Sequence, residues 1–174
     1  MTPRPVRLTF SDAREADAPQ IAGLQNAAAG ALTARFGKGP WSGLVTERGV
    51  LPRNRHARVR IGREGRHVHT VLRLATRKPW AIDAAYFTPA ERPLYLTGMA
   101  VAVAVQRQGL GRLALEDAIL LARSWSADAI RLDAYDAAAG AGPFYARCGF
   151  SERGRVRYRD DPLVYFEMLL PRAD

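Results

Sequence analysis

The residues best suited to chemistry are Gln106-Arg107-Gln108-Gly109-Leu110-Gly111, which follow an alternating apolar run and lead straight into a helical pattern. A glycine-rich turn between a strand and a helix N-terminus is a phosphate-binding arrangement. Gly109 and Gly111 permit backbone angles and close approach denied to larger residues, so successive N–H groups can face one anion. The helix dipole favours negative charge at the same place. Gly109-Leu110-Gly111-Arg112-Leu113-Ala114 also fits the loose dinucleotide pattern G-x-G-x-x-A, with Asp133 near the expected distance downstream. The stretch predicts a phosphorylated ligand and leaves two ligand classes open. Other reactive residues offer less. His67 and His69 share a strand face with no cysteine nearby, and Cys148 is the single cysteine, so neither a metal site nor a disulfide is expected. A nucleophilic Cys148 would need a histidine partner that no local spacing provides.

The elements that must position this turn are legible from periodicity. With 174 residues, 48% of them hydrophobic, the chain fits one domain spanning 1–174 with an ordinary core. Val6 to Phe10 alternates like a strand, and Ile21, Leu24, Ala28 and Leu32 then recur at helical spacing, with Asp17 placed to cap and Pro19 in the first turn. Phe36 to Asn54 is rich in Gly and Pro and predicts a loop flanking a short helix. His56 to Ile61 and His67 to Ala75 predict an antiparallel hairpin turning through Gly62-Arg63-Glu64-Gly65. Arg77 to Pro93 is an irregular excursion carrying Trp80, Tyr86 and Phe87. Leu94 to Val105 is the strand before the glycine turn, and Leu110, Leu113, Ala114, Ala118, Leu121, Ala122 and Trp125 mark the buried face of the helix after it. Ile130 to Tyr135 alternates again and completes a parallel β-α-β crossover. A short helix within Ala137 to Cys148 and a strand pair, Phe150 to Tyr158 with Leu163 to Leu170, finish the chain.

Charge and targeting narrow the partners. The net charge of +9 rests on arginine, since Lys38 and Lys78 are the only lysines. The arginines form no single stripe and no nucleic-acid-binding motif, so a small polyanion suits the positive field and no nucleic-acid partner is expected. No run of about eighteen apolar residues is present to span a membrane. Met1 to Pro5 lacks the apolar centre of a signal peptide, so the expected compartment is the cytoplasm.

Gln106-x-x-Gly109-x-Gly111, followed after one strand by Phe144-Tyr145-Ala146-Arg147-Cys148-Gly149-Phe150, resembles the GNAT N-acetyltransferase superfamily. Its pattern is (Arg/Gln)-x-x-Gly-x-(Gly/Ala) with a later Tyr-x-x-x-Gly-Phe helix end. The resemblance is firm from Leu94 to Phe150. It implies an α/β (α+β) fold: a mixed, mostly antiparallel sheet flanked by helices and splayed at the cofactor site, between the strand ending near Val103 and the one ending near Tyr135. A dinucleotide domain would build further β-α units after its fingerprint, whereas here one crossover precedes a terminal antiparallel pair.

The resemblance further implies acetyl-CoA as co-substrate and direct transfer of its acetyl group to a primary amine of a small-molecule acceptor. Backbone groups of Met99, Ala100 and Val101 would pair with the pantetheine arm, and Gln106, Arg107, Gln108, Gly109, Leu110, Gly111 and Arg112 would cradle the pyrophosphate, with Phe144 beside the cofactor. Tyr145 matches the family's general acid. The strand Leu94-Tyr95-Leu96-Thr97-Gly98 carries no carboxylate, so the base is unassigned; Asp83, Glu91, Asp133 and Asp136 are the nearest acids in sequence. Ala137-Ala138-Ala139 replaces the family's frequent asparagine, which keeps a catalytically inactive acetyl-CoA-binding module as the alternative. Trp41, Trp80, Tyr86 and Phe87, on irregular segments, are the candidates for the acceptor side. A homodimer is compatible with the resemblance.

Overall fold

The computed structural model describes residues 6–52 and 55–171. The readings placed on Met1 to Pro5, Arg53 and Asn54 lie outside the described residues. In chain order the elements are β1 (Thr9–Asp12), α1 (Ala18–Phe36), β2 (Ala57–Glu64), β3 (His67–Ala75), β4 (Pro93–Val101), α2 (Leu110–Ser124), β5 (Ala129–Tyr135), α3 (Gly142–Arg147), β6 (Ser151–Tyr158) and β7 (Asp161–Leu169). They build one seven-stranded sheet in the order β1-β2-β3-β4-β5-β7-β6. Every pairing is antiparallel except that of β4 with β5, the crossover pair expected from the sequence.

Several boundaries differ from the sequence reading for local reasons. The first strand is Thr9–Asp12 rather than Val6 to Phe10, because Phe10 and its neighbours pair with Arg60 to Arg63 of β2. The hairpin turns at Gly65 and Arg66, not at Gly62, since Glu64 and His67 are already partners. Gly62 stays inside the strand for want of space: a Cβ there would lie 2.5 Å from Thr70 Oγ1 and 2.7 Å from the Phe10 ring. Among its described residues the loop after α1 holds a single 3-10 turn, Pro40–Ser42. Asp17 precedes α1 but makes no cap bond to it; its carboxylate accepts from the Arg14 N–H at 2.8 Å and from Arg63 at 3.0 Å.

Two layers of helix cover the sheet. Ile21, Ala22 and Leu24 of α1 pack on Val59, Ile61, Val68 and Val71. On the other face α2 and α3 close over Leu72, Leu74, Leu94, Leu96, Ile130 and Leu132 through Ala114, Leu115, Ala118 and Tyr145. Arg60 of β2 grips Asp117 of α2 with two bonds of 2.8 Å, and that fork fixes the helix behind the glycine turn. Arg60 is partly buried, so the pair is screened less than an open surface bridge.

The sheet opens between β4 and β5. They pair only over Pro93 to Tyr95 with Ala129 to Arg131, and beyond that point β4 follows β3 while β5 follows β7. A buried polar cluster pins the closed end. Glu167, with no side-chain exposure, accepts from Arg131 Nε at 3.1 Å and Arg153 Nε at 2.8 Å, and Arg131 also donates to the Thr88 carbonyl at 2.5 Å. Each charge there has a partner, which is what burial of ions requires.

Candidate active site

The open end of the splay is shaped first by β4. Two steps on β3, from Val71 to Arg73, face three on β4, from Ala100 to Thr97, so β4 carries an extra residue at Gly98-Met99. Gly98 has φ of 60°, a left-handed angle that glycine takes without strain. Gln25 of α1 donates its amide to the Gly98 carbonyl at 2.8 Å and holds the bulge against the helix. Beyond Val101 the chain leaves the sheet in a 3-10 turn, Val103–Val105, where the sequence reading continued the strand. Ala102 N–H makes the last bond to β3, at 2.8 Å to the His69 carbonyl, and Val105 N–H already closes the turn onto Ala102.

The glycine turn follows. Gln106 folds back to donate to the Val101 carbonyl at 3.1 Å, which ties the turn to the strand end. Arg107 and Gly109 both take left-handed angles, φ 63° and 81°, and Gly109 is the N-cap of α2. The first helical bond runs from Leu113 N–H to the Gly109 carbonyl, so the N–H groups of Leu110, Gly111 and Arg112 lie upstream of it at the positive end of the dipole. Gly111 is where the turn meets α3: a Cβ there would stand 3.1 Å from the Phe144 ring and 3.6 Å from Met99 Cε. Arg112 does not point its charge into the turn; it donates to the Arg147 carbonyl at 2.9 Å.

Between the diverging strands lies a cleft of about 420 Å³, bounded by the second half of α1, Trp41, β4 from Leu96 to Ala100, β5 from Asp133 to Tyr135, and Tyr145. On the α1 side it is lined by Gln25, Ala28, Ala29 and Leu32. Tyr145 is 7% exposed, its ring against Phe144, Phe150 and Phe166 and its hydroxyl donating to Met99 Sδ at 3.7 Å, a weak acceptor. Burial, helped by the charges of Asp133 and Cys148, pushes this phenol well above its ordinary value, so it keeps its proton at neutral pH. Asp133 is half-buried in the same cleft, and burial pushes its carboxyl up as well. A phenol that keeps its proton and a carboxyl raised by burial thus line one space.

The structure brings together Met99, Ala100, Gly111, Phe144 and Tyr145, and sets the turn Gln106 to Arg112 beside them. Of the four aromatic acceptor candidates only Trp41 reaches the cleft, edge-on to Tyr135 at 6.0 Å. Phe87 is buried, stacked on Tyr165 at 5.3 Å with the Arg131 guanidinium 4.9 Å from its ring. Tyr86 meets Tyr165 edge-on at 5.5 Å, and Trp80 stands 91% exposed; neither lines the cleft. Among the four acids, Asp133 alone lines it. Sequence reasoning missed Gln25 and Tyr135, and missed the bulge, although a lone glycine inside a strand pattern is a signal for one. His67 and His69 do share a face, with rings 6.4 Å apart, and no metal-holding group of acids, histidines or cysteine occurs among the described residues.

A mixed seven-stranded sheet, splayed beside a glycine turn that opens α2, defines a GNAT-type acetyltransferase fold. Residues 69–150 match the acetyltransferase (GNAT) family. Solved structures agree in fold. Ribosomal-protein-alanine N-acetyltransferase from Brucella melitensis superposes with a TM-score of 0.67 at 19% identity, covering 94% of this chain and 100% of the other. The ribosomal-protein-S18-alanine N-acetyltransferase from Escherichia coli gives 0.67 at 16% identity, covering 97% of each chain. The protein yncA from Salmonella typhimurium, solved with its cofactor acetyl-CoA, gives 0.64 at 19% identity over 95% of each chain. No curated protein matches the sequence at a significant level.

Proposed function

We propose that this chain, as a single domain, is an acetyl-CoA-dependent N-acetyltransferase that acts on a primary amine of a small acceptor by direct attack. The observation that carries the reading is the placing of Asp133 and Tyr145 on one cleft with the β4 bulge, next to the glycine turn. The residues fit the co-substrate. The turn offers upstream N–H groups to a pyrophosphate, and a side chain at Gly111 would press on Phe144, where hydrogen leaves room. Met99 to Val101 offers strand backbone at the open edge of the splay to an extended amide-bearing arm.

Acetyl-CoA, when bound, supplies a thioester carbonyl for the amine to attack and a thiolate to depart. Asp133 takes a proton from the acceptor ammonium, which frees the nitrogen lone pair. Its raised pKa suits it to hold that proton better than a fully solvated carboxylate would. Backbone N–H at the Gly98-Met99 bulge is the donor assigned to the developing negative charge, since the extra residue interrupts the ladder to β3 there. Tyr145 gives its proton to the departing sulfur and is reprotonated by the second proton that the nitrogen sheds as the amide forms, while Asp133 returns its proton to solvent. The presence of Asp133 in the cleft answers the missing carboxylate on β4 and favours an enzyme over an inactive binding module. With its arginines dispersed among ion pairs such as those of Arg58, Arg60, Arg131 and Arg155, the chain is not proposed to bind nucleic acid. Among the described residues no helix is long and apolar enough to cross a membrane.

Calorimetric titration with acetyl-CoA tests the cofactor half of this reading. Wild-type protein binds; Gly111→Val, which crowds Phe144, binds at least about tenfold more weakly. Equal affinity in the two proteins would remove the turn from the site.

A further inference from the structure

We infer that the acceptor, on the acetyltransferase reading above, is an ammonium on an otherwise uncharged, flat or apolar body, and that amines bearing a carboxylate or phosphate are excluded. The chain carries a net charge of +9, yet no Arg, Lys or His is among the described residues that line the cleft. Asp133 is its one charged side chain. The wall on the α1 side is Gln25, whose amide N–H donates to the Gly98 carbonyl, with Ala28, Ala29, Leu32 and Trp41, and Tyr135 of β5 adds a second ring.

The aromatic pair is held in place. Trp41 donates its indole N–H to the Gly37 carbonyl at 3.1 Å and packs so tightly on Gly39 that a Cβ there would lie 2.5 Å from its ring. Its edge-on contact with Tyr135 fixes the second ring. A rigid aromatic corner beside a half-buried carboxylate attracts a cation with an apolar body, through charge and through the ring faces. An acidic group entering the same space would lose its water, find no cationic partner and stand near Asp133. Discrimination therefore comes from repulsion as much as attraction.

The test uses the full chain saturated with CoA and calorimetric titration with matched probes: phenethylamine against phenylalanine, and tryptamine against tryptophan. Phenylalaninamide serves as the neutral-carbonyl arm. The amines and the amide are expected to bind at least about tenfold tighter than the amino acids. In Asp133→Asn this ratio collapses toward unity, and Trp41→Ala weakens the amines while the amino acids stay weak. Amino acids binding as tightly as the amines, or no binding by any probe, overturns the inference. Because the titration needs no turnover, a preference for amines without acetyl transfer would retain the cleft's selectivity and remove only the catalytic reading.

Discussion

Tyr145→Phe separates the two roles that this residue could play, because it deletes one oxygen and leaves the ring. The ring is what packs: it lies 5.3 Å from Phe144, 5.7 Å from Phe150 and 6.2 Å from Phe166, centroid to centroid. Among the described residues the hydroxyl has Met99 Sδ, at 3.7 Å, as its partner. A thioether accepts weakly, so losing that bond costs roughly 0.5 kcal/mol or less. In a chain of this size that shifts the melting temperature by about 2 °C at most. Catalysis should respond differently. Removing a general acid lowers kcat by about a hundredfold or more, equivalent to roughly 2.7 kcal/mol of barrier. Thiol release at saturating acetyl-CoA, followed beside thermal unfolding of both proteins, measures the two effects. Near-wild-type turnover in the variant would refute the assignment, and so would a loss of activity that tracks a large fall in melting temperature.

Asp133→Asn removes the proposed base and lowers kcat/KM by about a hundredfold. Burial raises the Asp133 carboxyl above its ordinary 3.8, so wild-type activity falls with pH along a limb above that value, and the limb is absent from the variant's pH profile. Because burial penalises the ionised carboxylate, the same variant melts no lower than wild type at pH 7, and any gain vanishes in acid. Gly109→Ala meets open space but must take φ of 81°, so it destabilises by about 1 kcal/mol, read as a fall in melting temperature. Glu167→Gln breaks the buried cluster and destabilises by about 3 kcal/mol in denaturant unfolding at pH 7. Burial opposes the Glu167 charge, yet the bonds from Thr88, Arg131 and Arg153 outweigh it and hold the carboxyl below its usual 4.5. That stabilisation is full above about pH 4.5 and is lost as pH falls through the lower folded value, so the gap between variant and wild type narrows in acid.

The crossover from β4 through α2 to β5 was readable in the sequence because each element carries a clean period and the glycine turn separates them. Gly111 and Tyr145 were likewise reachable, since their spacing survives in one stretch of chain. The acceptor side was not. Phe87 and Tyr86 look like free aromatics in an irregular segment, but Tyr165, far away in sequence, collects both through tertiary packing. Asp133 was one of four equivalent acids until the splay turned the end of β5 into a wall. Gln25 gives no local signal at all, because its bond to Gly98 joins residues that only the fold brings close.

Acetyl transfer by this chain is tested most directly by a mass-spectrometric count of products when the full chain is incubated with acetyl-CoA and phenethylamine. One N-acetylated amine is expected for each free CoA thiol released. Thiol release without acetylated amine, or no acetylated product at all, would contradict that expectation.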